Sequence, residues 1–430
     1  MVSLGQRSAE RSTFARTLAA SVGRTHASEA RVDIALLASA LFLQRFTLPF
    51  GKTYLALDFV PTLLILLHQF LSGKMLIRYD RLWWFLAIGL VAASSLLLNF
   101  KSTMLTSFFL VLVLYSLATL ARPSTADRYK RTLQAFQFLV MILSCLAVAQ
   151  FAAQFVIDGR KLIMFYGMIP DVLLGLFKAG GMNTVHPIEG STLLKSNGLF
   201  LSEPSTLSQV TALGILIEIL EFRRPRYLLA LVPGFLLAYS GTGLMILLIF
   251  LPLAGVRYGK AGFSALVVVA FALGLFATGL IHLSVFTSRV GEFEETNASG
   301  FARFVSPLWL TAKLFDVASL QALLVGSGPG TMKTFSDYWY GGFPATWLKL
   351  LYEYGLIGSF VFVCFLASVL RGSRCPRLVL AALIFTYLFE TGFLVTWFWT
   401  VMIVLATLHS PEPRRDRVDG TRSYPAPQAA

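Results

Sequence analysis

The sequence predicts an all-α polytopic membrane protein of about 12 transmembrane helices with two long loops on one side. Three observations carry this. Of the 430 residues, 56% are hydrophobic and the mean hydropathy is +0.71, far above the soluble average. Apolar runs recur from residue 34 to 409, many near the roughly 20 residues that cross a hydrocarbon core of about 30 Å. Lys and Arg fall in every second gap between the runs. In lipid the backbone must satisfy its own polar groups, and a helix does so within one segment.

In chain order the expected spans are 34–50, 54–71, 82–98, 104–121 and 135–157, then 204–222, 226–240, 242–256 and 261–282, and last 346–370, 376–390 and 392–409. The pair 226–240 and 242–256 is short and split by Ser240-Gly241-Thr242-Gly243. It reads as two short spans or as a re-entrant hairpin. The chain divides into a flexible tail 1–32, N-terminal helices 33–157, a loop 158–203, central helices 204–282, a loop 283–345, C-terminal helices 346–409 and a second tail 410–430.

Basic residues set the orientation. Arg31, Lys74, Arg78, Arg81, Arg122, Arg128, Arg223, Arg224, Arg257, Arg371, Arg374 and Arg377 all fall in one alternate set of loops. That set and both termini are expected in the cytoplasm, and the loops 158–203 and 283–345 on the opposite face. The net charge of +14 is then mainly a topology signal and not a nucleic-acid footprint. Cys145, Cys364 and Cys375 have no metal-type spacing and outline no disulfide framework. The five histidines are scattered, and no metal site is expected.

Three constellations could carry chemistry. In Lys195-Ser-Asn197-Gly-Leu-Phe-Leu-Ser-Glu203-Pro-Ser, Ser202 before Pro204 predicts a helix start with Ser202 as cap. The structural reading is a capped helix at the membrane surface. The functional reading holds Glu203 and Lys195 at the boundary, facing a polar cavity, because a carboxylate entering a span needs a partner or water. The second constellation is Arg289-Val-Gly-Glu292 with Arg303 in the same loop; a guanidinium fork matches phosphate oxygens. The third is Gly326-Ser-Gly328-Pro-Gly330, followed by Lys333, Phe335, Asp337, Tyr338, Trp339, Tyr340 and Phe343. Its glycines permit exposed amides that could cradle an anion. Its aromatic residues fit sugar stacking and an interfacial belt equally well. Glu353-Tyr-Gly-Leu-Ile-Gly358 opens the next span with glycines suited to helix packing. Glu218 and Glu390 are intramembrane or near-interface acids: functional candidates by default, or ends of misplaced helices.

These elements, in this order, resemble the polysaccharide polymerase and O-antigen ligase superfamily of bacterial inner-membrane proteins. The resemblance covers roughly 190–360 and the many-span framework; in length and ends the chain is most similar to polymerases of xanthan-type exopolysaccharide. It implies a C-type glycosyltransferase-like helical fold and periplasmic chemistry. The implied substrates are oligosaccharide repeats on undecaprenyl pyrophosphate, as donor and acceptor. The implied partners are membrane lipid, a flippase, and chain-length or export proteins, with no cofactor or metal. It also implies that arginines of the external loops contact phosphate, a role falling to Arg289 and Arg303. The chain departs from the pattern in three places. Pro344-Ala345 stands where ligases carry His-Asn, Gly241 replaces the usual Arg of the Ser-Arg-Thr-Gly break, and Lys195 lies two positions ahead of Asn197.

The residues are consistent with that chemistry. A lipid diphosphate leaves as a stable anion, so fixed positive charge helps most; Arg289 and Arg303 supply it, supported by Lys195 or Lys333. The attacking hydroxyl needs a base, for which Glu203 ranks ahead of Glu292 and Asp337. The missing His disfavours a ligase. A transporter would bury its polar residues mid-span in paired halves, whereas polarity here concentrates in external loops.

Overall fold

A computed structural model describes residues 30–50, 53–100, 105–164, 186–188, 192–258, 301–339, 345–390 and 392–411. Within them the chain is mostly helical. In order it forms α1 (30–42), β1 (Thr47–Phe50), β2 (Thr53–Ala56), α2 (Phe59–Leu71), β3 (Leu76–Ile77), α3 (Tyr79–Leu98), α4 (Leu105–Leu117) and β4 (Leu120–Ser124). There follow α5 (Ala126–Ala153), α6 (Gly159–Met164), α7 (Pro204–Ile217), α8 (Pro225–Leu237) and α9 (Gly241–Tyr258). Next come α10 (Ser306–Val317), α11 (Leu320–Val325), α12 (Met332–Trp339), α13 (Thr346–Leu370), α14 (Arg377–Phe385), α15 (Thr396–Met402) and β5 (His409–Pro411). Among the described residues, four helices are long and apolar enough to cross a membrane: Tyr79–Leu98, Ala126–Ala153, Pro204–Phe222 and Thr346–Leu370.

The surface fits lipid. Trp83, Leu86, Leu90 and Leu97 of α3 and Phe360 and Val363 of α13 are exposed, an apolar face that water would not tolerate on a stable monomer. One core cluster joins α1 to α5, α7 to α9 and α13 to α15. At its centre lies α7, 83% buried against 28% for α3. Close approach of α7 and α9 is set by Ser208, whose Oγ donates to Ser240 O at 3.1 Å and accepts from Gly243 N.

Two expectations are corrected. The apolar runs 34–50 and 54–71 do not form two continuous helices: β1 and β2 pair antiparallel between α1 and α2. Thr47, Thr53 and Tyr54 favour strands, and Pro49 cannot donate to a helix ladder; hydropathy does not distinguish such a hairpin from a helix. The second concerns 283–345, expected as a long loop. Its described part, 301–339, is largely helical. Leu310 and Met332 pack with Leu348 and draw in Phe335, Trp347 and Tyr352. The apolar periodicity is real but diluted by the polar residues around it. The segment 226–256 forms two helices, broken around Tyr239 at φ 44°. The expected span 261–282 lies outside the described residues.

The two ends of the bundle differ. At one end β3, β4 and β5 make a small sheet, β4 antiparallel to β3 and parallel to β5. Arg81 Nη1 donates to Ala118, Leu120 and Thr407 carbonyls at 3.0–3.2 Å. Buried Asp33 takes Arg122, His409 Nε2 at 3.3 Å and Thr132 Oγ1 at 2.6 Å. Arg374 N donates to His409 O. Basic loops expected to share a side therefore meet here. From this end the 28 residues of α5 run about 42 Å at 1.5 Å per residue. Their far end carries the site described next.

Candidate functional site

The site is built on the C-terminal turns of α5. Gln154 takes Leu194 N and donates to Leu194 O at 2.8 and 2.9 Å. Gln150 Oε1 accepts Asn197 N and Gly198 N, and its Nε2 donates to Asn197 Oδ1 at 2.9 Å. Asn197 Nδ2 reaches Leu201 O. Asn197, 2% exposed, therefore spends its amide on the turn before α7. Leu199, at φ 66°, occupies a left-handed conformation costly for such a side chain; its carbonyl is held by buried Arg45.

This turn delivers Glu203 to the start of α7. The cap is Glu203 and not Ser202: Glu203 is extended at φ −142° and Pro204 occupies the first turn. A residue before proline is driven out of the helical region, which moves the boundary one residue along. Ser202 Oγ instead donates to Gln44 Oε1 at 3.2 Å.

Arg303 arrives from the π-turn Phe301–Val305 before α10. Its Nη2 donates to Glu203 Oε2 at 3.4 Å and to Ser205 Oγ at 3.3 Å, while Ser205 Oγ donates to Glu203 Oε2 at 2.8 Å. The Arg303 and Glu203 side chains keep 18% and 36% exposure. A cation, a carboxylate and the positive end of a buried helix thus converge at one partly open place. Arg303 and Glu203 come from the separate loops that sequence had singled out.

Two residues join that the sequence reading had not placed here. His186 is held by Lys195 N donating to its carbonyl at 2.9 Å. It lies within electrostatic reach of Glu203, Lys195 and Arg303. Burial pushes its pKa below the ordinary histidine value, Lys195 and Arg303 push the same way, and Glu203 opposes them. Its ring therefore stays neutral near pH 7. Glu390 ends the π-turn Thr386–Glu390, which packs against the Arg303 turn. Only the polarity of its span marked Glu390 in the sequence; nothing local marked His186.

The glycine run is differently employed. Ser327 N and Gly328 N donate to Tyr352 O and Glu353 O at 2.8 and 3.1 Å. Glu353 Oε1 accepts Met332 N at 3.3 Å, with Gly330 N also turned to the carboxylate and Lys349 Nζ at 3.7 Å. The anion in this cradle is the chain's own Glu353. At Gly355, φ 67° kinks α13 and a Cβ would overlap the Leu324 carbonyl, so the absence of a side chain there lets α11 and α13 approach closely. On α12, Lys333, Asp337 and Tyr338 are exposed, and Phe335 stacks on Tyr352 at 4.5 Å; the side chain of Trp339 lies outside those described. Arg289, Glu292 and Tyr340 lie outside the described residues. Glu218 is clasped by Arg224 through three bonds of 2.7–3.0 Å beyond the end of α7, which is a capping arrangement. No known protein family, curated protein or solved structure matches the chain.

Proposed function

We propose that the chain is a glycosyltransferase of the C type, with about 12 spans in a bacterial inner membrane. In this reading it polymerises exopolysaccharide of the xanthan type. The growing glycan passes from undecaprenyl pyrophosphate to the next lipid-linked repeat at the periplasmic face. The basic sheet end and both termini lie in the cytoplasm, and a flippase and chain-length or export proteins are its partners.

The observation that supports it is Arg303, held by Glu203 and Ser205 at the N-terminus of the buried α7. Among the described residues only Nη2 of its guanidinium makes a hydrogen bond, so donors remain for diphosphate oxygens. The helix terminus adds partial positive charge. As the anomeric C–O bond breaks, charge develops on the diphosphate and is met by Arg303, with Arg289 from the same loop. Glu203 keeps Arg303 in register through their ion pair. Lys195, held beside His186, adds a further cation.

Arg303→Ala and Arg289→Ala should each yield inserted, normally expressed protein that accumulates unpolymerised lipid-linked repeats. Loss of one such clamp is worth about 10²-fold in rate. High-molecular-weight polymer at wild-type levels from both variants would remove the assignment. In reconstitution with purified lipid-linked repeats, product length separates a polymerase from a ligase.

A further inference from the structure

Burying a carboxylate is costly unless hydrogen bonds or opposite charges meet its oxygens. Among the described residues each buried carboxylate but one has at least one oxygen met, although Asp58 Oδ2 and Glu353 Oε2 have no hydrogen-bond partner there. Asp33 is met by Arg122, His409 and Thr132, and Glu218 by Arg224. Asp58 Oδ1 takes Thr396 and Glu353 Oε1 takes Met332 N. At Glu390, 4% exposed, neither oxygen has a hydrogen-bond partner among the described residues.

The backbone of Glu390 is not loose. Gln209 of α7 donates to its carbonyl at 3.5 Å, which ties it to the helix that starts at Glu203. Its π-turn packs on the turn carrying Arg303, whose charge acts on it. Interruptions of this kind in a helix recur at functional sites. A second, more deeply buried carboxylate thus lies within electrostatic reach of Arg303, with no hydrogen bond to its oxygens among the described residues. Glu203 on the open side already accepts from Arg303 and Ser205.

We infer that Glu390, and not Glu203, takes the proton from the attacking hydroxyl of the acceptor sugar; this rests on the polymerase reading above. The hydroxyl oxygen bonds to the anomeric carbon of the donor glycan. The carbon–oxygen bond to diphosphate breaks, and the lipid diphosphate leaves with the electron pair against Arg303. The hydroxyl proton passes to a Glu390 oxygen. Carboxylates withdrawn from water serve as bases near neutral pH when an acceptor hydroxyl is brought within hydrogen-bond reach. Glu390 is 4% exposed, and the Arg303 turn packed against its π-turn is tied to Glu203 by one long bond of 3.4 Å.

The test is reconstituted full-length protein with purified lipid-linked repeat units, comparing wild type, Glu390→Gln, Glu390→Asp and Glu203→Gln. Glu390→Gln should unfold at the wild-type temperature and keep the wild-type donor KM. Its kcat should fall by about 10²-fold or more, the usual worth of a positioned base. Glu390→Asp should regain part of that loss. Glu203→Gln should act chiefly on donor KM. If Glu390→Gln polymerises near the wild-type rate, or if Glu203→Gln alone shows the kcat loss, the assignment to Glu390 is overturned while the polymerase reading stands. Should Glu390→Gln prove unstable, donor binding and turnover of Glu390→Asp decide: wild-type kcat with the shortened arm overturns the role. Absence of polymer from the wild type overturns the polymerase reading itself.

Discussion

At Glu203 the chain changes from extended to helical because Pro204 excludes the helical conformation before it, and the same restriction aims the carboxylate at Arg303. Single residues here have environments that composition does not disclose. His186 is an example: a lone histidine in a polar segment, yet burial and two cations hold its pKa below the ordinary value. The unfolded chain therefore binds this proton first as pH falls through about 6.5. Stability from this group is intact above that value and declines below it, down to the lower folded pKa. His186→Gln should lose that part of the pH dependence, read as a smaller drop in unfolding temperature between pH 7 and pH 5. An unchanged drop would place the histidine in water.

At the scale of elements, helix contacts rest on a few close approaches. Gly355 is the clearest: positive φ inside α13 and no space for a Cβ against Leu324. Gly372 has a similar φ of 76° but open space around it. Alanine at Gly372 should cost only the left-handed strain of about 1–2 kcal/mol. Gly355→Ala should cost more, because overpacking adds about 1–3 kcal/mol. Thermal unfolding in detergent would compare them, and equal losses would mean that α11 and α13 separate freely. Glycines in this run were legible as packing positions from Glu353-Tyr-Gly-Leu-Ile-Gly358. The fate of the preceding glycine run was not. Its amides are filled by Glu353 and by the carbonyls of Tyr352 and Glu353, contacts that no local pattern encodes.

For the whole molecule, α5 separates a basic sheet end from the Arg303 end by about 42 Å at 1.5 Å per residue over its 28 residues, more than a hydrocarbon core of about 30 Å. In a background lacking Cys145, Cys364 and Cys375, thiols introduced at the exposed positions Gly372 and Gln321 should label from opposite sides of intact membrane vesicles with an impermeant reagent. Labelling from one side would end the proposed periplasmic chemistry.

What the sequence determined alone was whatever depends on near neighbours. Long apolar runs require helices in lipid, and helices Tyr79–Leu98, Ala126–Ala153, Pro204–Phe222 and Thr346–Leu370 have the length and composition to span. Alternating basic loops grouped Arg78, Arg81, Arg122 and Arg374, which meet around one small sheet. Glu203 and Arg303 stood out by type and position. Only the tertiary structure decided that these two meet, that the Glu390 oxygens have no hydrogen-bond partner among the described residues, that His186 is drawn in, and that paired strands Thr47–Phe50 and Thr53–Ala56 interrupt an apolar run. The reason is physical. Burial and chain length act locally and leave a periodic trace, whereas the pairing of distant polar groups depends on how helices pack, and packing is written in shape at many positions at once.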